Sequence, residues 1–498
     1  MRVTPNYFAV FLVVAMTLGP MCQAQEKTKQ RDAQPAPKMS MQEQMTHQHA
    51  DVALVKPEYP RMGRARERAG AQAVTLEQME KMAGEANPTL RQAEAEIRAA
   101  KARQQQVGLY PNPSVGYTGD EIRGGSVGGG KQGFFLQQTI VTAGKLGKSR
   151  AVLGSESKLA EIEAQEQCTR VTTAVRMAFL RVLSAQEWLE ARRDLAKIAE
   201  DAAQTQRELM NTGQADESEV LEAEVDAQRM RMAARMQENT LREEWRSLAA
   251  VIGQPDLPLA TVMGDLESGW PELNEEEAVE TIAKQSPAVQ IAETATRRAQ
   301  AVLTRAQREP IPDISIRAGM EYNHETLGSV PWAKGWEGLA EASVQIPIFN
   351  RNQGNIVVAL ADMDRAEQEK IRVALTLRER AATVVDEYAN AKLMAVEYRD
   401  EILPHAKKAY SLLVDKYGQM LASYPRVLDA KRKLYELQIE YIAALEGVWT
   451  NGLALQGYLL TDGLEAPSRP GEVDRPIRET NVPMPERSMS PGEGLPRP

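Results

Sequence analysis

The chain has 498 residues, a net charge of −9 and only 5% aromatic residues. Long stretches of Ala, Glu, Gln, Arg and Leu favour extended or coiled helix over the mixed core of a compact enzyme. The mildly acidic balance, with no concentrated basic face, gives no reason to expect nucleic acid as a partner.

The chain opens with Arg2, an apolar run over residues 7–18, then Gly19, Pro20 and the sequence CQAQ. This order reads as a secretory signal over residues 1–24, cleaved after Ala24, with Cys22 and Ala24 as its small residues. A lipid anchor on Cys22 is the weaker alternative, because Gly19 and Met21 fit that signal poorly. Cleavage leaves Cys168 as the one cysteine, expected as a small buried residue within a helix. Residues 25–74 are polar, and residues 465–498 carry eight prolines beginning at Pro467, so both segments are expected to be disordered.

The sequence between these segments repeats itself, giving two units over residues 75–262 and 272–464. NPTLRQAEAEIRAAKARQQQVGLYPNPSVGYTG, from Asn87, aligns without a gap on SPAVQIAETATRRAQAVLTRAQREPIPDISIRAG, from Ser286. Pro88, Pro111 and Pro113 fall on Pro287, Pro310 and Pro312, and Gly147 later falls on Gly354. TGQADESEVLEA, from Thr212, falls on YGQMLASYPRVLDA, from Tyr417.

Each unit begins with an amphipathic helix, marked in the first by Leu90, Ala93, Ile97 and Ala100, which ends near a Pro-x-Pro. The period then changes to two. Ile314, Ile316, Ala318, Met320 and Tyr322 alternate with Asp313, Ser315, Arg317, Gly319 and Glu321. The partner run sets Ala340, Ala342, Val344, Ile346 and Ile348 against Glu341, Ser343 and Gln345. This is a β-hairpin, and Val115, Tyr117 and FFLQQTIV form a less regular one in the first unit.

Residues 145–211 follow without a proline, a length that predicts a helix of about 100 Å at 1.5 Å per residue. Its counterpart carries a kink at Pro404. Both chains turn, at Gly213 and Gly418, into return helices.

Four strands cannot close a barrel, and a one-sided apolar hairpin has no second sheet to cover it. Strands of about ten residues alternating lipid-side and lumen-side chemistry suit an outer-membrane barrel, and three chains sharing one would supply twelve strands. The expected fold is therefore mostly α with a small membrane β-barrel portion, a duplicated helix, β-hairpin, long helix and return helix.

The duplicated plan, the PNP and PIPD openings of the hairpins, QIPIFNRNQGN after the second hairpin and the Gly-then-VL-x-A turns resemble the outer-membrane factor (TolC-like) family of tripartite efflux pumps. The run Asn350, Arg351, Asn352, Gln353, Gly354 is most similar to its CzcC-like heavy-metal branch. The resemblance covers residues 75–464. It implies a homotrimer in outer-membrane lipid with a helical periplasmic tunnel. It also implies a periplasmic adaptor (membrane fusion) protein and an inner-membrane resistance-nodulation-division pump as partners. It implies no enzyme activity and no cofactor. The long N-terminal segment and the proline-rich tail depart from the family pattern. Export of drugs or other small molecules is the alternative cargo, and a soluble periplasmic coiled-coil protein is the alternative class.

Two groups of site residues are expected. Met39, Met41, Met45, His47 and His49 combine thioethers with imidazoles, a set suited to Cu(I) or Ag(I). Gly213, Asp216, Glu217, Glu219, Leu221, Gly418 and Leu428 fall where the resemblance places adaptor docking and the resting gate. In a trimer Asp216, Glu217 and Glu219 would form acidic rings that favour cations. Trp332 and Trp336, in the second hairpin's loop, are candidates for an interfacial girdle. Gly125, Gly130 and Lys131 have phosphate-loop spacing, but Gln132 replaces the Ser or Thr that would hold a metal ion and a strand follows. They are read as the tip of the first hairpin, and no other catalytic motif stands out.

Overall fold

The computed structural model describes Tyr59 and residues 73–122, 129–324 and 334–466. The elements run α1 (Leu76–Ala86), α2 (Pro88–Val107), β1 (Ser114–Asp120), β2 (Lys131–Ile140), α3 (Lys145–Asn211) and α4 (Glu217–Ile252). The second unit repeats them as α5 (Glu275–Gln285), α6 (Pro287–Ala306), β3 (Ile314–Asn323), β4 (Gly335–Val344), α7 (Gln353–Glu397), α8 (Leu403–Gly418) and α9 (Tyr424–Gln456).

Each unit therefore opens with two helices where one was expected. Asn87 and Ser286 accept hydrogen bonds from Thr89 and Val289 backbone N–H, and Pro88 and Pro287 occupy the first helical position. Proline there loses only an amide that the helix would not have used, while blocking continuation from the preceding turn.

The four strands form one antiparallel sheet in chain order. The two units join at β2 and β3, with Lys131 opposite Asn323 and Ile140 opposite Ile314. β1 and β4 are its two outer strands. β4 ends at Val344, so Ile346 and Ile348, expected within it, lie beyond its end, and Trp336 lies within it rather than in the loop. Trp332 and Gly125 fall outside the described residues.

α3 is a continuous helix of 67 residues, about 100 Å long at the usual rise. α7 and α8 make its counterpart, joined by a π-helical turn at Tyr398–Ile402. Pro404, in the first turn of α8, cannot donate to the carbonyl four residues back, and the wider turn accommodates the lost bond. The kink expected at this proline thus takes the form of a π-helical turn.

The main core lies midway along the helices, where Val175, Val182, Leu248, Ile282, Leu434, Ile442 and Leu445 pack together. Indole N–H groups of Trp245 and Trp449 close the loops there by donating to the carbonyls of Leu257 and Leu266 at 3.0 and 2.9 Å. A parallel bridge between Val74 and Val262 ties the segment before α1 to the segment that follows α4. Cys168 lies in α3 as expected but is exposed, not buried.

Candidate conduction path

The strand alternation sorts the sheet into two chemically distinct faces. Val115, Tyr117, Phe134, Leu136, Met320 and Trp336 share one face, whereas Lys131, Arg317, Glu321, Glu337 and Glu341 share the other. The apolar face is the more exposed: Phe134 and Met320 are 66% and 59% exposed, against 14% for the Glu321 side chain. A water-soluble sheet has the opposite arrangement, and lipid is the solvent that this one fits.

The polar face is crossed by ion pairs between strands. Lys131 Nζ donates to Glu337 Oε2 at 2.6 Å and lies 3.8 Å from Glu321. Asn323 Nδ2 donates to the other Glu337 oxygen at 2.8 Å. The lysine that mimicked a phosphate loop is thus a strand residue held by two carboxylates from the second unit. Lower on the same face the Arg317 guanidinium stacks 3.8 Å above the Phe135 ring. That ring lies across Gly116, where an added Cβ would collide with the Phe135 ring. Glycine therefore lets a large ring lie against the wall rather than project from the polar face.

At the sheet-to-helix junction, Lys145 pairs with Asp313 at 3.1 Å, and Thr142 N donates to the same carboxylate at 2.9 Å. The Asn350–Gly354 run forms the equivalent turn in the second unit. Asn352 has φ 59°, a left-handed conformation that asparagine tolerates, and its Nδ2 donates to the Ala306 carbonyl at 2.9 Å. Asn350 and Gln353 side chains accept from the Asn352 and Arg351 amides. These residues shape the turn that launches α7.

At the far end of the helices the first reversal is made at Gly213, with φ 74°. Its N–H donates to the Met210 carbonyl and that of Gln214 to Leu209, closing the end of α3. Asp216 caps α4, its Oδ1 accepting from Ser218 Oγ at 2.6 Å and Glu219 N at 3.0 Å. Those bonds, foremost the Ser218 hydroxyl, hold its carboxyl below the usual range. Glu217 and Glu219 lie exposed in the first turn, where the helix dipole favours them. Leu221 is exposed and lines a groove of about 660 Å³ between α3 and α4 with Arg207, Glu224, Val225 and Met232.

The second tip differs from the first at two of the expected residues. Gly418 remains helical, and Met420, with φ 61°, makes the reversal two residues later. Leu428 is buried against Ala191, Leu195, Ile198 and Tyr435, so it supports the tip from within. Met420 and Leu421, which the sequence reading missed, are the exposed apolar residues there. The two aligned glycines should therefore respond oppositely to alanine. Gly213→Ala forces a left-handed Cβ residue and is expected to cost about 1–2 kcal/mol. Gly418→Ala, with open space at its Cβ, is expected to stabilise by about 0.4–1 kcal/mol. Chemical denaturation of the two variants tests the contrast.

Partway along α3, Glu163 is buried, and its Oε2 has no hydrogen-bond partner among the described residues. Burial, followed by repulsion from Glu166 and Glu96, pushes its carboxyl up to about 7. Among the described residues no cluster of three or more His, Cys, Asp or Glu could hold a metal ion. Met39, Met41, Met45, His47 and His49 lie outside those residues.

Comparison with known proteins agrees with this architecture. Residues 81–254 and 278–459 match the family model described as outer membrane efflux protein. The cobalt-zinc-cadmium resistance protein CzcC of Cupriavidus metallidurans is 23% identical over 384 residues, covering 76% of this chain and 88% of that protein. The solved structure of CusC, described in terms of folding and transmembrane channel formation, superposes with a TM-score of 0.57 at 18% identity, covering 87% of this chain and 98% of that one. The outer membrane protein VceC of Vibrio cholerae gives a TM-score of 0.59 at 17% identity, covering 82% and 100%. A two-faced sheet continued by long helices, matched in both units by one family model, assigns the chain to the outer membrane efflux proteins, as an outer-membrane channel with a periplasmic helical extension.

Proposed function

We propose that three copies of this chain form a twelve-strand barrel and helical tunnel that passively conducts heavy-metal cations out of the cell. Cargo would arrive from a resistance-nodulation-division pump through a periplasmic adaptor. The observation that carries the channel reading is the sheet itself: four strands whose outer edges, at β1 and β4, are unpaired among the described residues, an exposed apolar face and an ion-paired polar face. Such a sheet is satisfied only when its edges are paired and its apolar face meets lipid. The cation reading is supported by likeness to a cobalt-zinc-cadmium resistance protein.

In this reading residues 1–24 direct export, residues 75–262 and 272–464 are the two channel repeats, and residues 25–74 and 465–498 are appended segments. Asp216, Glu217 and Glu219 would ring the tunnel mouth and favour cations, while Leu221 and its groove would receive the adaptor. Gly213 would fix the tip that presents them, Gly418 would end α8 at the second tip, and Leu428 would support that tip from within. The chain would carry out no bond-making chemistry.

Two measurements test the proposal. Cross-linking in native outer membranes is expected to trap three chains and no higher species. Deleting the chain from its host should increase sensitivity to divalent metal cations several-fold while drug tolerance is unchanged. Drug sensitivity without metal sensitivity would select the alternative cargo.

A further inference from the structure

The joint between the two units inside one chain is a template for the joint between chains. Val115 pairs with Leu136 in the first hairpin, Ile314 pairs with Val344 in the second, and Val115 falls on Ile314 in the repeat. Leu136 and Val344 therefore hold equivalent places, a step one residue longer than that from Gly147 to Gly354. Pairing with β1 reaches only to Gln137. Gln138, Thr139 and Ile140 thus have no partner in their own hairpin and are strand because β3 lies along their other edge.

The counterparts of Gln138 and Ile140 are Ile346 and Ile348, which extend past the end of β4 with no strand beside them among the described residues. Both are exposed, and the Ile348 N–H folds back onto the Ile346 carbonyl at 3.0 Å, a bond that a paired strand would exchange for one across the ladder. Pro347, with no N–H to offer, suits a strand end paired along one edge. On the opposite edge of the sheet, Val115 and Tyr117 of β1 are exposed as well.

We infer that residues 345–348 are the docking strand for β1 of a second copy, in the register that β2 and β3 already use: Ile346 opposite Tyr117 and Ile348 opposite Val115. This rests on the reading of three chains sharing one barrel, and names the contact that closes it. Polar residues match in the same register, with Ser343 facing Asp120 and Gln345 facing Thr118. A slip of one residue would carry both isoleucines to the polar face. A slip of two keeps the faces but sets Ile348 against Pro113, ahead of β1, or Ile346 against Gly119, which has no side chain to pack. The alternation that runs through Ile348 therefore belongs to the assembled barrel, although β4 of one chain stops at Val344.

The test places paired cysteines in the full-length chain with Cys168→Ser and oxidises them in native outer membranes. Within one chain β1 and β4 stand three strand spacings apart, about 14 Å, too far for a disulfide, so any bond formed joins two copies. Tyr117→Cys with Ile346→Cys, and Thr118→Cys with Gln345→Cys, should each give covalent species of two and three chains. The second pair lies on the polar face, where an aqueous oxidant reaches it. Tyr117→Cys with Val344→Cys, or with Ile348→Cys, should give at least fivefold less, and each single-cysteine variant none. Preference for an offset pair would overturn the register while leaving a shared barrel. Absence of bonds between copies from every pair would overturn the barrel reading with it.

Discussion

Leu136→Arg is expected to remove the protein from the outer membrane, whereas Thr118→Arg is expected to leave it there. The two positions are near each other on adjacent paired strands but point to opposite faces: Leu136 pairs with Val115 and Ala318 on the apolar face, while Thr118 pairs with Gly133. Gly133 in turn faces Glu321 on the polar side. An arginine on the lipid face costs about 2–4 kcal/mol at mid-depth, and a shared barrel would incur it once per chain. At Thr118 the guanidinium would meet the acidic side of the sheet, near Glu321 and Glu337, with water available. The measurement is the amount of each variant in isolated outer membranes, with heat-resistant oligomer as a second readout. Retention of Leu136→Arg at the unsubstituted level would overturn the assignment of the exposed face to lipid.

The alternation behind that experiment was legible from sequence because a strand's period of two depends on nothing beyond the strand. The Ile314-to-Tyr322 pattern therefore gave the face of β3, and the unbroken helix of α3 followed from a proline-free run with helix-favouring composition. The offset between the units did the same for overall architecture, since aligned prolines marked aligned helix starts. Features that depend on partners far away in sequence were not legible. Lys131 acquires its role from Glu321 and Glu337, roughly two hundred residues on. Leu428 aligns with Leu221, which is exposed, but Ala191, Leu195 and Ile198 of α3 cover it. Gly418 misled for another reason: two additional residues in the second turn move the left-handed position to Met420. Cys168 failed the general expectation for cysteine because its side of α3 is not covered within one chain.

Glu163→Gln is expected to stabilise the protein at pH 8 and to do far less at pH 5. The Glu163 carboxyl sits buried in α3 with Glu166 and Glu96 nearby, and burial first, then those charges, raise it from 4.5 to about 7. The folded state therefore holds the proton more tightly than the unfolded chain does. Its contribution is fully present below about pH 4.5 and is lost as pH rises through about 7. A shift of that size corresponds to about 3 kcal/mol of stability between the two limits. Glutamine reproduces the shape and neutrality of the protonated acid but cannot ionise, so it should abolish this pH dependence. Apparent melting temperatures of the two proteins, measured from pH 5 to pH 8 at constant ionic strength, should converge at the acidic end. They should separate progressively from about pH 5 and run nearly parallel above about pH 7. Parallel curves across the whole range would show that Glu163 is ionised throughout. A buried charge would then require a partner for Oε2, such as a group contributed by a neighbouring chain in the trimer.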